Sequence, residues 1–131
     1  MWRQVWRGAA AAAFAWGVAA SAMAAEWRAF TPEAFAAAQA QGRPILVEAH
    51  ADWCPTCRAQ APVVRAAAQA DEFDNMIVFT LDFDHQGAER RALGIRTQST
   101  LIAFQGRTET ARSVGDTDAG RISVLMRSAV R

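Results

Sequence analysis

The 131-residue sequence contains no lysine; all 14 of its basic residues are arginine. Cysteine and histidine appear twice each and proline four times. Each scarcity excludes something. Thirteen acidic residues nearly balance the arginines, with no basic stripe and no acidic tail, so nothing in the charge points to nucleic acid. A structural zinc site wants four ligands, and the remaining candidates beside the cysteines, His50 and His85, have no ligand spacing to each other. The apolar run at residues 8–20 is alanine-rich and falls below the roughly 20 residues a spanning helix needs. After residue 24 there is no internal repeat, linker or low-complexity segment.

What is present at the N-terminus is the layout of an export signal. A short head with Arg3 and Arg7 and no acid precedes the apolar run, and Ala22-Met23-Ala24 supplies a small-x-small end. Residues 1–24 are therefore expected to be a signal peptide cleaved after Ala24, with no membrane span left behind. No cysteine lies near that point, which argues against a lipid anchor. Residues 25–131 are enough for one domain with one core. The alanine-rich, lysine-free composition is read as a mark of a GC-rich bacterial genome. Export then places the protein in the periplasm, where disulfides form and persist.

The order of elements follows from local signals. Residues 26–30 form a short strand candidate. Thr31 suits a helix N-cap, Pro32 the first helical position and Gly42 the stop. "RPILVEAH" (43–50) has the continuous apolar character of a buried strand. A helix is expected from about Cys54 toward Gln69, kinked at Pro62. "NMIVFTLDFD" (75–84) reads as another buried strand, followed by a short helix ending at Gly94. Residues 100–104 and 109–114 flank "QGRT" as a hairpin. The last segment is an amphipathic helix with Ile122, Leu125, Met126 and Val130 expected inward. The resulting α/β order, β-α-β-α-β-α-β-β-α, predicts a parallel core with an antiparallel edge.

The two cysteines occur as Cys54-Pro55-Thr56-Cys57. At the start of a helix, residues three apart share a face, so the two sulfurs come within disulfide reach. Free backbone N–H groups and the helix dipole favour negative charge on the first sulfur. The thiolate is the species that attacks disulfides, so Cys54 is the candidate nucleophile. Cys57, one turn deeper, is expected to be shielded and less acidic, and to resolve the mixed disulfide. A staple closing so small a loop would constrain little of the unfolded chain. A two-coordinate soft-metal site, such as one for copper(I), is physically open because thiolates select such metals, and a metal-handling protein binding copper(I) or zinc through the pair stays an alternative. Redox exchange is the leading reading, since the pair follows a buried strand and opens a helix.

These residues resemble the thioredoxin superfamily over nearly all of residues 25–131. "ILVEAHADWCPTCR" is similar to the family's strand, Trp-Cys-x-x-Cys and helix start, and Pro62 stands five residues after Cys57, where thioredoxins carry a helix proline. "LDFD", "ALGIRTQSTLIAFQG" and Gly115 resemble the end of the third strand, the passage into the fourth, and the glycine that closes the last strand beside the active site. The resemblance implies the thioredoxin fold: a mixed sheet of about five strands with helices on both faces. It implies Cys54 as nucleophile, Cys57 as resolving thiol and Glu48 as a buried carboxylate that accepts the Cys57 proton. Trp53, Gln98, Ser99 and Gly115 would line the substrate site, and Pro55-Thr56 would tune the potential. Arg58 is either a partner for the thiolate or a solvated helix arginine; His50 and His85 are rim and loop residues.

One departure stands out. Where thioredoxins have a cis-proline facing the cysteines, this sequence has Ser99. A cis bond without proline costs about 2.5–4 kcal/mol, so a trans peptide is expected. Losing the proline also removes a group that in thioredoxins helps keep metals from the pair. The sequence therefore predicts a monomeric periplasmic thiol:disulfide oxidoreductase needing no cofactor. It would act on protein thiols and disulfides in the reducing or isomerising direction, supplied by a membrane electron donor. The alternatives are a soft-metal-handling protein or a thioredoxin-fold binding module whose disulfide never cycles.

Overall fold

A computed structural model describes residues 24–130. The expected signal segment lies outside the described residues, save Ala24. The chain runs β1 (Glu26–Ala29), α1 (Pro32–Ala40), β2 (Pro44–His50), α2 (Pro55–Ala67), a single 3-10 turn (Asp71–Phe73), β3 (Ile77–Asp82), α3 (Gly87–Ala92), β4 (Thr100–Gln105), β5 (Thr108–Val114) and α4 (Ala119–Arg127). The strands form one sheet in the order β1-β3-β2-β4-β5. β1 and β2 both pair parallel with β3, whereas β4 runs antiparallel to β2 and to β5. Among the described residues no helix is long and apolar enough to cross a membrane.

The central strand owes its place to its side chains. From Ile45 to Ala49 every residue of β2 is buried, as a strand covered on both faces requires. Alternation then sorts them. Ile45, Val47 and Ala49 join Phe30, Phe35, Phe79 and Phe104 on one face, the face packed by α1. Leu46 points the other way, into a cluster with Val64 of α2 and Ile122, Leu125 and Met126 of α4. Helices therefore cover both faces of the sheet.

The local signals act where they were expected. Thr31 Oγ1 accepts the Ala34 N–H at 3.1 Å and caps α1, with Pro32 in its first turn. Gly42 follows in the left-handed region, φ 67°, which a side chain would disfavour. Pro62 lies inside α2, where it leaves the Arg58 carbonyl without a helical donor. One expectation at the C-terminus is corrected. α4 ends at Arg127, so the helical period does not reach Val130; Ala129 turns inward at 1% exposure while Val130 is 38% exposed.

Candidate functional site

The site sits at the C-terminal end of β2, where the strand hands over to α2. Ala51 O accepts the Cys54 N–H at 3.1 Å in the connecting turn, and Cys54 becomes the N-cap of α2 with extended backbone (φ −82°, ψ 113°). Its sulfur does what a serine or aspartate cap usually does: Cys54 Sγ accepts the Cys57 N–H at 3.1 Å. Pro55, which has no N–H to offer, occupies the first helical turn. Both cysteines are free thiols and both are buried. Cys57 is shielded as expected, and Cys54 is equally buried.

The two thiols are nonetheless unequal. Cys57 Sγ faces the Ala49 carbonyl at 3.8 Å. Burial, reinforced by the hydrogen bond with Cys54, pushes the Cys57 thiol up to about 11. Glu48 precedes this pair in β2, in register with Thr80 of β3 and Leu101 of β4. By strand alternation it shares the face of Leu46, the side on which α2 lies. It is 4% exposed, and burial raises its carboxyl above the usual glutamate range against the opposing pull of His50 and Arg65.

Ser99 closes the site from the other side. The described chain contains no cis peptide bond, so Ser99 is trans as expected. It adopts φ 59°, a region that a residue with a Cβ enters at a cost of about 1 kcal/mol. Four contacts hold it there: its N–H donates to Ala49 O at 2.8 Å, its Oγ donates to Gln98 O at 2.6 Å, and its carbonyl accepts the Gly115 N–H at 3.0 Å and Gln60 Nε2 at 3.2 Å. Gly115, at φ 70°, lies where an added Cβ would come 3.9 Å from Thr56 Cγ2 and 4.0 Å from Ser99 Oγ. Thr56, Ser99 and Gly115 are therefore brought together; Gln98 is half-buried beside them.

Trp53 is 57% exposed, and its indole N–H donates to Asp84 Oδ2 at 2.8 Å. This pair forms one wall of a groove of about 600 Å³ lined by Ala29, His50, Asp52, Thr80, Asp82 and His85 among others. Arg58 is exposed on α2. Among the described residues no cluster of three or more His, Cys, Asp or Glu side chains is arranged to hold a metal.

Two residues escape a reading of the sequence. Gln60, buried inside α2, donates to Ser99 O and, at 2.7 Å, to Asp116 O, tying both loops to the helix that carries the cysteines. Its only signal was a polar residue on the helix face three positions beyond Cys57. Asp84, the anchor of Trp53, was visible only as part of "LDFD".

A thioredoxin-like family model matches residues 26–106, which is more than half of the chain. The chain belongs to the thioredoxin superfamily. It is 34% identical over 82 residues to a thioredoxin of Chlamydia muridarum, a match covering 63% of this chain and 78% of that one. A thioredoxin of Aspergillus fumigatus, Asp f 29, is 29% identical over 72 residues, 55% of this chain and 66% of that protein. Among solved structures, Trxlp from Edwardsiella tarda superposes with a TM-score of 0.75 at 33% identity, covering 77% of this chain and 98% of that one. This thioredoxin-like chain, with its Cys54–Cys57 pair, is a thiol:disulfide oxidoreductase.

Proposed function

We propose that the protein is an exported, periplasmic thiol:disulfide oxidoreductase working in the reducing or isomerising direction on protein disulfides. One observation carries the assignment of roles: Cys54 Sγ caps α2 and accepts the Cys57 N–H, while the Cys57 thiol is pushed up to about 11. The sulfur at the helix start lies where backbone N–H groups meet negative charge as it develops, and the sulfur held as thiol is poised to wait. Cys54 attacks the substrate disulfide, forming a mixed disulfide and releasing the first substrate thiolate. Cys57 then gives its proton to the Glu48 carboxylate and attacks Cys54 Sγ, releasing the second thiolate. Two electrons have passed to the substrate, and the chain holds a Cys54–Cys57 disulfide.

Glu48 suits that proton because burial raises its own affinity for one. Trp53, Gln98, Ser99 and Gly115 frame the substrate segment, with Pro55 and Thr56 between the sulfurs. The export-signal layout of residues 1–24 supports the periplasmic placement. A reductase there depends on a membrane electron donor. The decisive experiment equilibrates the protein without residues 1–24 in glutathione or dithiothreitol buffers and follows its tryptophan fluorescence. A potential near roughly −270 mV supports the reductive direction, and one near roughly −120 mV makes the protein an oxidant instead.

A further inference from the structure

Glu48, if it accepts a proton at each turnover, must lose it again, yet it is 4% exposed within the central strand. A buried carboxyl needs a route to water. The groove beside Trp53 reaches the two neighbours such a route would use. Thr80, which lines it, is the cross-strand partner of Glu48. His50, which also lines it, follows Glu48 by two residues on the same strand face, about 6.6 Å along the strand at about 3.3 Å per residue. Its Nε2 pairs with Asp52 Oδ1 at 3.1 Å, and Asp52 is fully solvent-exposed. Glu48, His50 and Asp52 thus step from core to rim to water.

We propose that His50 is the relay residue of this site, taking the proton that Glu48 receives from Cys57 and passing it to solvent at the Asp52 rim. This rests on the role proposed above for Glu48. Imidazole is the side chain that gains and loses a proton near neutral pH, and its two nitrogens allow one to receive while the other releases. Nε2 is the nitrogen paired with Asp52, Nδ1 lies outside that pair, and the ring is close enough for its charge to act on the Glu48 carboxyl. The balance is simple: protonated Glu48 and neutral His50 become carboxylate and imidazolium, and the imidazolium releases its proton to water.

The surroundings favour a cation that forms transiently here. Asp82 is the register partner of His50 on β3, and Asp84 and His85 line the same groove from the following loop. Asp82 is engaged by His85 at 2.9 Å, which lowers the Asp82 carboxyl and raises His85. From α2 comes Arg65, whose charge acts on Glu48 while its guanidinium stacks 4.7 Å over the Trp27 ring. Leu101, opposite Glu48 on β4, carries no charge.

The test uses 5,5′-dithiobis(2-nitrobenzoate) with the protein lacking residues 1–24. Cys54 forms a mixed disulfide and releases one thionitrobenzoate; attack by Cys57 releases the second. Wild type is expected to release both. In steady-state reduction of the reagent with dithiothreitol, His50→Gln should be slower by about tenfold, less than the ~10²-fold typical of losing a general base, and its rate should follow a different pH profile from that of wild type. His50→Ala should recover when free imidazole is added, which a merely structural role would not allow. Glu48→Gln separates the two ideas. If wild type releases no second thionitrobenzoate, or Glu48→Gln is unimpaired, the role given to Glu48 fails and the relay with it. If Glu48→Gln is impaired while His50→Gln keeps the wild-type rate and profile, the Glu48 role stands and the relay is overturned.

Discussion

Ser99 and Cys57 address the same backbone atom. The Ser99 N–H donates to Ala49 O at 2.8 Å, and Cys57 Sγ approaches that carbonyl at 3.8 Å. The serine therefore fixes one wall of the pocket around the deeper thiol, and its backbone also hydrogen-bonds that sulfur, which opposes part of the rise that burial imposes on the thiol. Its conformation is specific to a residue that has an N–H and tolerates φ 59°.

Ser99→Pro tests that dependence. Proline removes the donor to Ala49 and holds φ near −65°, so the observed loop cannot accept it unchanged. Denaturant unfolding should show a loss of about 3 kcal/mol. A variant as stable as wild type would mean that the loop rebuilds around the proline, and that the contacts of Ser99 with Ala49 and Gln98 add little.

The inequality of the thiols predicts a stoichiometry. With Cys57 pushed up to about 11, only about one part in 10⁴ of it is thiolate at pH 7. Iodoacetamide under native reducing conditions should add one group per chain, at Cys54, with the second appearing only in strong alkali or on unfolding. Peptide mapping by mass spectrometry reads the outcome directly. Equal labelling of both residues at neutral pH would contradict the division of roles.

Glu48 should cost stability in proportion to its ionisation. Its carboxyl is raised in the folded chain, so between the ordinary value of 4.5 and the raised one the folded state binds more protons than the unfolded state. Stability must then fall as pH rises through that window and stay lower above it. Glu48→Leu should flatten this slope and gain about 1–3 kcal/mol at pH 7, the scale of an uncompensated buried polar group. The same variant should resolve mixed disulfides slowly. Parallel unfolding curves at several pH values check the first expectation.

Gln60→Ala probes the tie between α2 and the loops. It removes both donations, to Ser99 O and Asp116 O, from a side chain that is 1% exposed. The expected loss is about 1–3 kcal/mol, because the Asp116 carbonyl is left without that donor. Cys57 alkylation at neutral pH should also rise as the Ser99 wall loosens.

Much of this architecture was legible in the residues. Thr31, Pro32 and Gly42 bracket α1, and the apolar run through Ile45–Ala49 marks the central strand. These signals are local: a cap, a stop, a period. Val130 misled because the apolar spacing continues past the point where α4 ends at Arg127. The cysteines and Glu48 could be placed because each is tied to the end of one strand or the start of one helix. Gln60 and Asp84 could not, since their partners lie 39, 56 and 31 residues away in sequence. Only the closed sheet brings those chain segments together.

The position of β2 has a consequence for how the protein breathes. It is the third of five strands, hydrogen-bonded to β3 on one side and β4 on the other. Amides there exchange with deuterium only when the sheet opens as a whole, whereas β1 and β5, the outer strands among the described residues, can fray alone. The reactive turn from His50 to Cys54 is thus suspended from a strand held on both sides. The sulfurs meet a partner from a fixed mount, and whatever adjustment docking requires falls to the partner.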